Sequence, residues 1–148
     1  MQEIDRICDD YSQKMNKELE ESALRNKNQA ESFEKATRLL TAVFLPVLQE
    51  ISDSLRRKGH ESEVRERLNS VSGPSVSLVF CPKILNPDNV SFPSDIQFSV
   101  TGETVSVKYK INSMHGYEVN DRWNSVEVSE SMVKGRVIEF VKSTLSAS

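Results

Sequence analysis

The sequence predicts an α+β fold. A long N-terminal helix, kinked near Pro46, precedes a four- to five-stranded antiparallel β-meander and a C-terminal amphipathic helix packed on one sheet face. Three observations predict it. The first 58 residues contain no glycine and a single proline, and carry apolar residues at helical spacing. Between residues 75 and 123, apolar and polar residues alternate in short runs separated by turn sequences. After Ser129 the helical spacing returns.

The first helix ends at Arg56-Arg57-Lys58-Gly59, a basic last turn followed by a glycine stop. A continuous helix of that length runs about 85 Å. A compact domain of this size has a radius of gyration near ~15 Å. One domain cannot cover such a helix, so it folds back, bends, or packs against another chain. Ile4, Cys8, Tyr11 and Met15 step as a heptad seam. The register then slips by four residues, a stutter, and resumes through Leu19, Ala23, Asn26, Ala30, Phe33, Thr37, Leu40, Phe44, Val47 and Ile51. Ile4, Cys8, Tyr11, Met15, Leu19, Ala23 and Ala30 are therefore the candidate interaction face. From Phe33 to Leu55 the stripe is widened by Ala36, Leu39, Val43 and Leu48, which suits packing on a sheet. Pro46 lacks an amide proton and crowds the carbonyl of Ala42, so a kink is expected there. A helical hairpin bending near residues 25–29 would keep the face within one protomer, but no glycine or proline marks that bend.

Residues 60–68 (HESEVRERL) fit a charged edge strand, with Val64 and Leu68 also four apart as on a short helix; the strand is favoured. Residues 75–81 alternate with Val76, Leu78 and Phe80 on one face, and Pro82 ends the run. Ile96, Phe98 and Val100 alternate next, then Val105, Val107, Tyr109 and Ile111, with Thr101-Gly102-Glu103-Thr104 as a hairpin turn between them. Tyr117, Val119, Asp121 and Trp123 suggest a further strand that continues irregularly to Val126 and Val128. Ser129 is the expected N-cap of a helix whose face is Val133, Val137, Phe140, Val141 and Leu145. The core is expected to hold Val76, Leu78, Phe80, Ile96, Phe98, Val100, Val105, Val107, Tyr109 and Ile111 with Val137, Phe140 and Val141. Residues 1–58 form a helical arm; residues 59–148 form the sheet and last helix, one domain with the distal part of the arm.

Composition narrows the function classes. The chain is 37% hydrophobic and 28% charged, as a globular protein is, with a net charge of −3. The charge divides as −2 over residues 1–72 and −1 over residues 73–148, so neither half is polybasic. This argues against nucleic-acid binding. Lys108 and Lys110 could meet phosphates, but Tyr109 alternates with them and faces the core. The N-terminus lacks the basic and apolar segments of a secretory signal, and the most apolar stretch, residues 41–48, is too short to span a bilayer. A soluble protein of the reducing cytoplasm is the simplest expectation.

No residue pattern carries catalysis. Cys8 lies on the seam and reads as a small core residue, and Cys81 ends a strand without a nucleophile signature. His60 reads as a cation at the helix C-terminus; His115 lies in a polar turn. Paired carboxylates on the first helix, such as Glu18 and Glu21, match no calcium or two-metal pattern. No cofactor or metal is expected. The leading expectation is a non-enzymatic interaction or adaptor protein that self-associates, most simply as a homodimer, through its N-terminal helix. The alternative is a small-molecule or lipid-binding domain with a pocket between sheet and helices. A third is a hydrolase-like site built on Cys81 and His115.

Overall fold

The computed structural model describes residues 2–69, 73–83, 92–113 and 116–147. Their order is α1 (Gln2–Leu39), a π-helical turn (Leu40–Phe44), α2 (Leu45–Arg57), β1 (Glu61–Arg67), β2 (Ser75–Cys81), β3 (Ser94–Thr101), β4 (Thr104–Lys110), β5 (Glu118–Asn124) and α3 (Glu130–Ala147). The strands form one antiparallel sheet in chain order, β1 to β5. This is the α+β layout the alternation and helical spacing predict. The chain divides into two compact units, residues 1–34 and 35–148.

Helical dihedrals persist at Leu39, Phe44 and Leu45, and no side-chain cap separates α1 from α2. Where the kink is expected there is a π turn, in which the Leu45 N–H reaches back to the Leu40 carbonyl. Its cause is legible in the buried positions. Ala36, Leu40, Phe44, Leu48 and Ser52 are buried at every fourth residue. On an α-helix a four-residue step drifts by about 40°, so five such positions would wind off the face. A π turn holds more residues per turn and takes up part of that drift. It also falls just before Pro46, whose missing amide already breaks the α pattern. α1 runs unbroken through residues 25–29, so the hairpin bend is not there.

The end of α2 follows from Gly59, whose φ is +90°. The His60 N–H donates to the Leu55 carbonyl at 3.1 Å and the Gly59 N–H to that of Arg56 at 2.9 Å, which is a Schellman cap. His60, expected only as a residue at the helix end, makes two contacts there: its Nδ1 accepts the Lys83 backbone N–H at 2.8 Å, and the ring meets the edge of Phe80.

One face of the sheet carries the core. Val76, Leu78, Phe80, Ile96, Phe98, Val100, Val105, Val107, Tyr109 and Ile111 are all buried there or at the strand end. Register places Val64, Leu78, Ile96, Tyr109 and Val119 in one row across all five strands. α2 and the π turn contribute Phe44, which lies 4.9 Å from Phe98; α3 contributes Phe140, which lies 5.7 Å from Tyr109. Burial pushes the Tyr109 phenol pKa up, and the Glu139 carboxylate adds to the shift. Arg136 of α3 donates to Asp121 of β5 at 2.6 Å and lies over the Trp123 ring, tying the helix to the last strand.

Three expectations need correction. β5 stops at Asn124, whose carbonyl and side chain accept the Glu127 and Val126 amides in a turn, and Val126 is 83% exposed. Leu145 is exposed, because the buried positions of α3 step Val133, Val137, Phe140, Thr144 and leave position 145 about 100° away. Val141 is half-buried at the margin of the core. Ser129 does cap α3, its Oγ accepting the Met132 N–H.

Candidate functional site

All seven residues of the predicted interaction face lie on α1: Ile4, Cys8, Tyr11, Met15, Leu19, Ala23 and Ala30. All seven are exposed in the single chain. Exposure is 51% at Ile4, 65% at Tyr11 and 64% at Leu19, so the largest apolar side chains of the stripe meet solvent. Cys8 is correspondingly an exposed thiol and not a core residue. Every described residue from 2 to 35 is exposed, and burial begins at Ala36.

Unbroken α geometry lets the stripe be read as a surface. From residue 4 to residue 30 it makes seven turns in 26 residues, about 3.7 residues per turn. That exceeds the 3.6 of a straight helix, so the stripe drifts by about 80° along its length. Such a period suits helices that cross or coil with a slight right-handed sense, not the left-handed zipper of a strict heptad. The N-terminal half is the stronger. Ile7, which the seam count passes over, is 62% exposed and lies one turn from Ile4 and Tyr11, so it widens the apolar face there. Beyond Leu19 the positions are small or polar, which permits close approach of a partner but supplies less apolar area.

The face of the sheet opposite the core is polar. An open concavity of about 630 Å³ lies on it, lined by Gln97, Ser99, Ser106, Lys108, Asn120 and Arg122 among others. Lys108 is held by Glu118 at 3.0 Å, and that contact pulls the Glu118 carboxyl pKa down. Tyr109 lies on the opposite face, buried, so its ring is not on the side of the lysines. Meanwhile Phe44, Phe98, Tyr109 and Phe140 fill the space between sheet and helices.

Among the described residues the other candidates are spread over separate elements. Arg56 donates to the Ser62 carbonyl, Arg57 to Ser54 and Arg65 to Glu63, so these three guanidinium groups are engaged locally. Cys81 is half-buried at the end of β2, while Met114 and His115 lie outside the described residues. Among the described residues no three His, Cys, Asp or Glu side chains could together hold a metal ion. Among them, too, no helix is long and apolar enough to cross a membrane. Comparison of the chain with known protein families, with curated proteins and with solved structures finds no match.

Proposed function

We propose that this chain is a non-enzymatic interaction or adaptor protein that self-associates through α1, most simply as a homodimer. The observation that carries the reading is the exposed stripe from Ile4 to Leu19. It places five large apolar side chains, Ile4, Ile7, Tyr11, Met15 and Leu19, on a helix whose described residues are all exposed before Ala36. An isolated helix in water gains little from propensity alone and draws its stability from packing an apolar face. A second copy of the same stripe supplies that packing with two-fold symmetry. The setting proposed is the cytoplasm, where the Cys8 and Cys81 thiols stay reduced.

The test is the mass of the full chain in solution. Tyr11→Lys with Leu19→Lys keeps helix-forming residues and places two charges in the stripe. The wild type is expected to be at least a dimer, and the double variant to lose the α1 contact while unfolding at the same temperature when monomers are compared. An identical mass for both would sink the reading.

A further inference from the structure

β1 carries charges for which its own sheet has no counterpart. On the face away from the core its side chains are Glu61, Glu63, Arg65 and Arg67, all exposed. The β2 residues opposite them are Cys81, Val79, Ser77 and Ser75, none of them charged. Elsewhere on this face two lysines are matched across strands: Lys110 lies between Asp95 and Glu118, and Lys108 reaches Glu118. On β1, Glu63 and Arg65 meet only along their own strand, at 3.3 Å, each more than half exposed. β1 is also a terminal strand, so one of its edges pairs with no other described strand.

On this face the charges of β1 are antisymmetric about Val64. Set antiparallel to a second β1 with Val64 opposite Val64, Glu61 faces Arg67 and Glu63 faces Arg65, and the two-fold axis repeats both pairs. Directly opposed residues lie about 4.5–5.5 Å apart at Cβ, close enough for each pair to interact. The pair of Glu63 and Arg65 then meets its own copy head to tail, closing a square of alternating charge. Sliding the register by two residues sets Glu63 against Glu63 in one direction and Arg65 against Arg65 in the other. The register with full overlap is thus the one that matches all four charges of this face, while Glu66, on the other face, lies opposite Ser62. The other edge strand lacks this property: β5 in full overlap sets Asp121 against Asp121. The Ser62 carbonyl already accepts from Arg56 Nε at 2.7 Å, and a carbonyl oxygen carries a second lone pair.

We propose that β1 is a second self-association surface, joining two copies of this chain edge to edge into one continuous antiparallel sheet. Charges on an edge strand repel unlike edges. Here the same charges admit a strand of the same sequence, so they select the partner as well as exclude others. The contact is independent of the α1 stripe. A chain with two different two-fold contacts builds assemblies larger than a dimer.

The test uses the full chain carrying Tyr11→Lys and Leu19→Lys, so that association through β1 is read separately. Two further variants are made in it: Glu61→Arg with Glu63→Arg, and Arg65→Glu with Arg67→Glu. Masses are read by native mass spectrometry and sedimentation at low ionic strength, with unfolding curves confirming that each variant is folded. The stripe-blocked chain is expected to dimerise and to dissociate as salt screens the pairs. Each charge variant alone is expected to be monomeric, since like charges then oppose across the axis. An equimolar mixture of the two is expected to restore a dimer containing one of each. A stripe-blocked chain that is monomeric at every salt concentration, charge variants that leave its dimer unchanged, or a mixture with no heterodimer would each overturn the proposal. If the stripe substitutions fail to shift the wild-type mass, the α1 reading fails, while the mixing experiment still reports on β1.

Discussion

Residues 2–34 and residues 35–57 are both helical, and both carry apolar side chains at helical spacing. In the first segment Tyr11 and Leu19 are about two-thirds exposed; in the second Leu40, Phe44 and Leu48 are fully buried. The difference is what each segment has to pack on. The second lies against a sheet whose facing side chains belong to the same chain, and the first has no described cover. Apolar periodicity therefore reports that a helix has a face to bury, and says nothing about which molecule buries it.

The sharpest way to break that comparison is to make one truncation in each segment's surroundings. Phe98→Ala removes a fully buried ring that packs on Phe44, and is expected to cost about 3–5 kcal/mol of unfolding free energy. Leu19→Ala is expected to change the stability of the monomer by no more than about 0.5 kcal/mol, since its side chain is mostly solvated. Urea unfolding at a concentration where the chain is monomeric checks both. A comparable loss from each would mean that α1 is covered within the chain.

The boundary of the helical region offers a smaller effect. Gly59→Ala forces a side chain into φ +90° at the Schellman cap and brings its Cβ to 3.5 Å from Lys83. It is expected to cost about 1–2 kcal/mol, read as a lower urea midpoint at unchanged slope. The smallest effect is opposite in sign. Gly135 lies on the exposed side of α3, where an added Cβ meets nothing within 4 Å. Gly135→Ala is expected to stabilise by about 0.5–1 kcal/mol; a loss of stability would show that α3 needs the bare backbone there.

Particular residues show how far the sequence could be read. The strands were legible because alternation at Val76, Leu78 and Phe80, and again at Ile96, Phe98 and Val100, matches the two-residue repeat of a half-buried sheet. The hairpin turn was legible because Gly102, at φ +61°, takes a conformation other residues resist. The π turn was hidden, since it answers the spacing of buried positions and not a local motif. Ser52 and Thr144 were missed as core residues because each is polar. The core accepts them because Ser52 donates to the Ser62 hydroxyl and Thr144 to the Phe140 carbonyl. The hydrogen bond of His60 was hidden because its partner, the Lys83 amide, is distant in sequence. The α1 stripe was visible from spacing alone. The self-complementarity of β1 acquires meaning only with the register, which shows that Cys81, Val79, Ser77 and Ser75 leave its charges unmatched.

Amide hydrogen exchange of the full chain across a dilution series, with the mass followed in parallel, tests the central claim most directly. If α1 is held by contact with another copy, protection of residues 2–34 rises with concentration together with the mass. At dilutions where only monomer is present these amides exchange fast, while those of β3 and β4 stay protected throughout. Protection of residues 2–34 that is high and independent of concentration, in a chain that is monomeric at every dilution, would contradict the account.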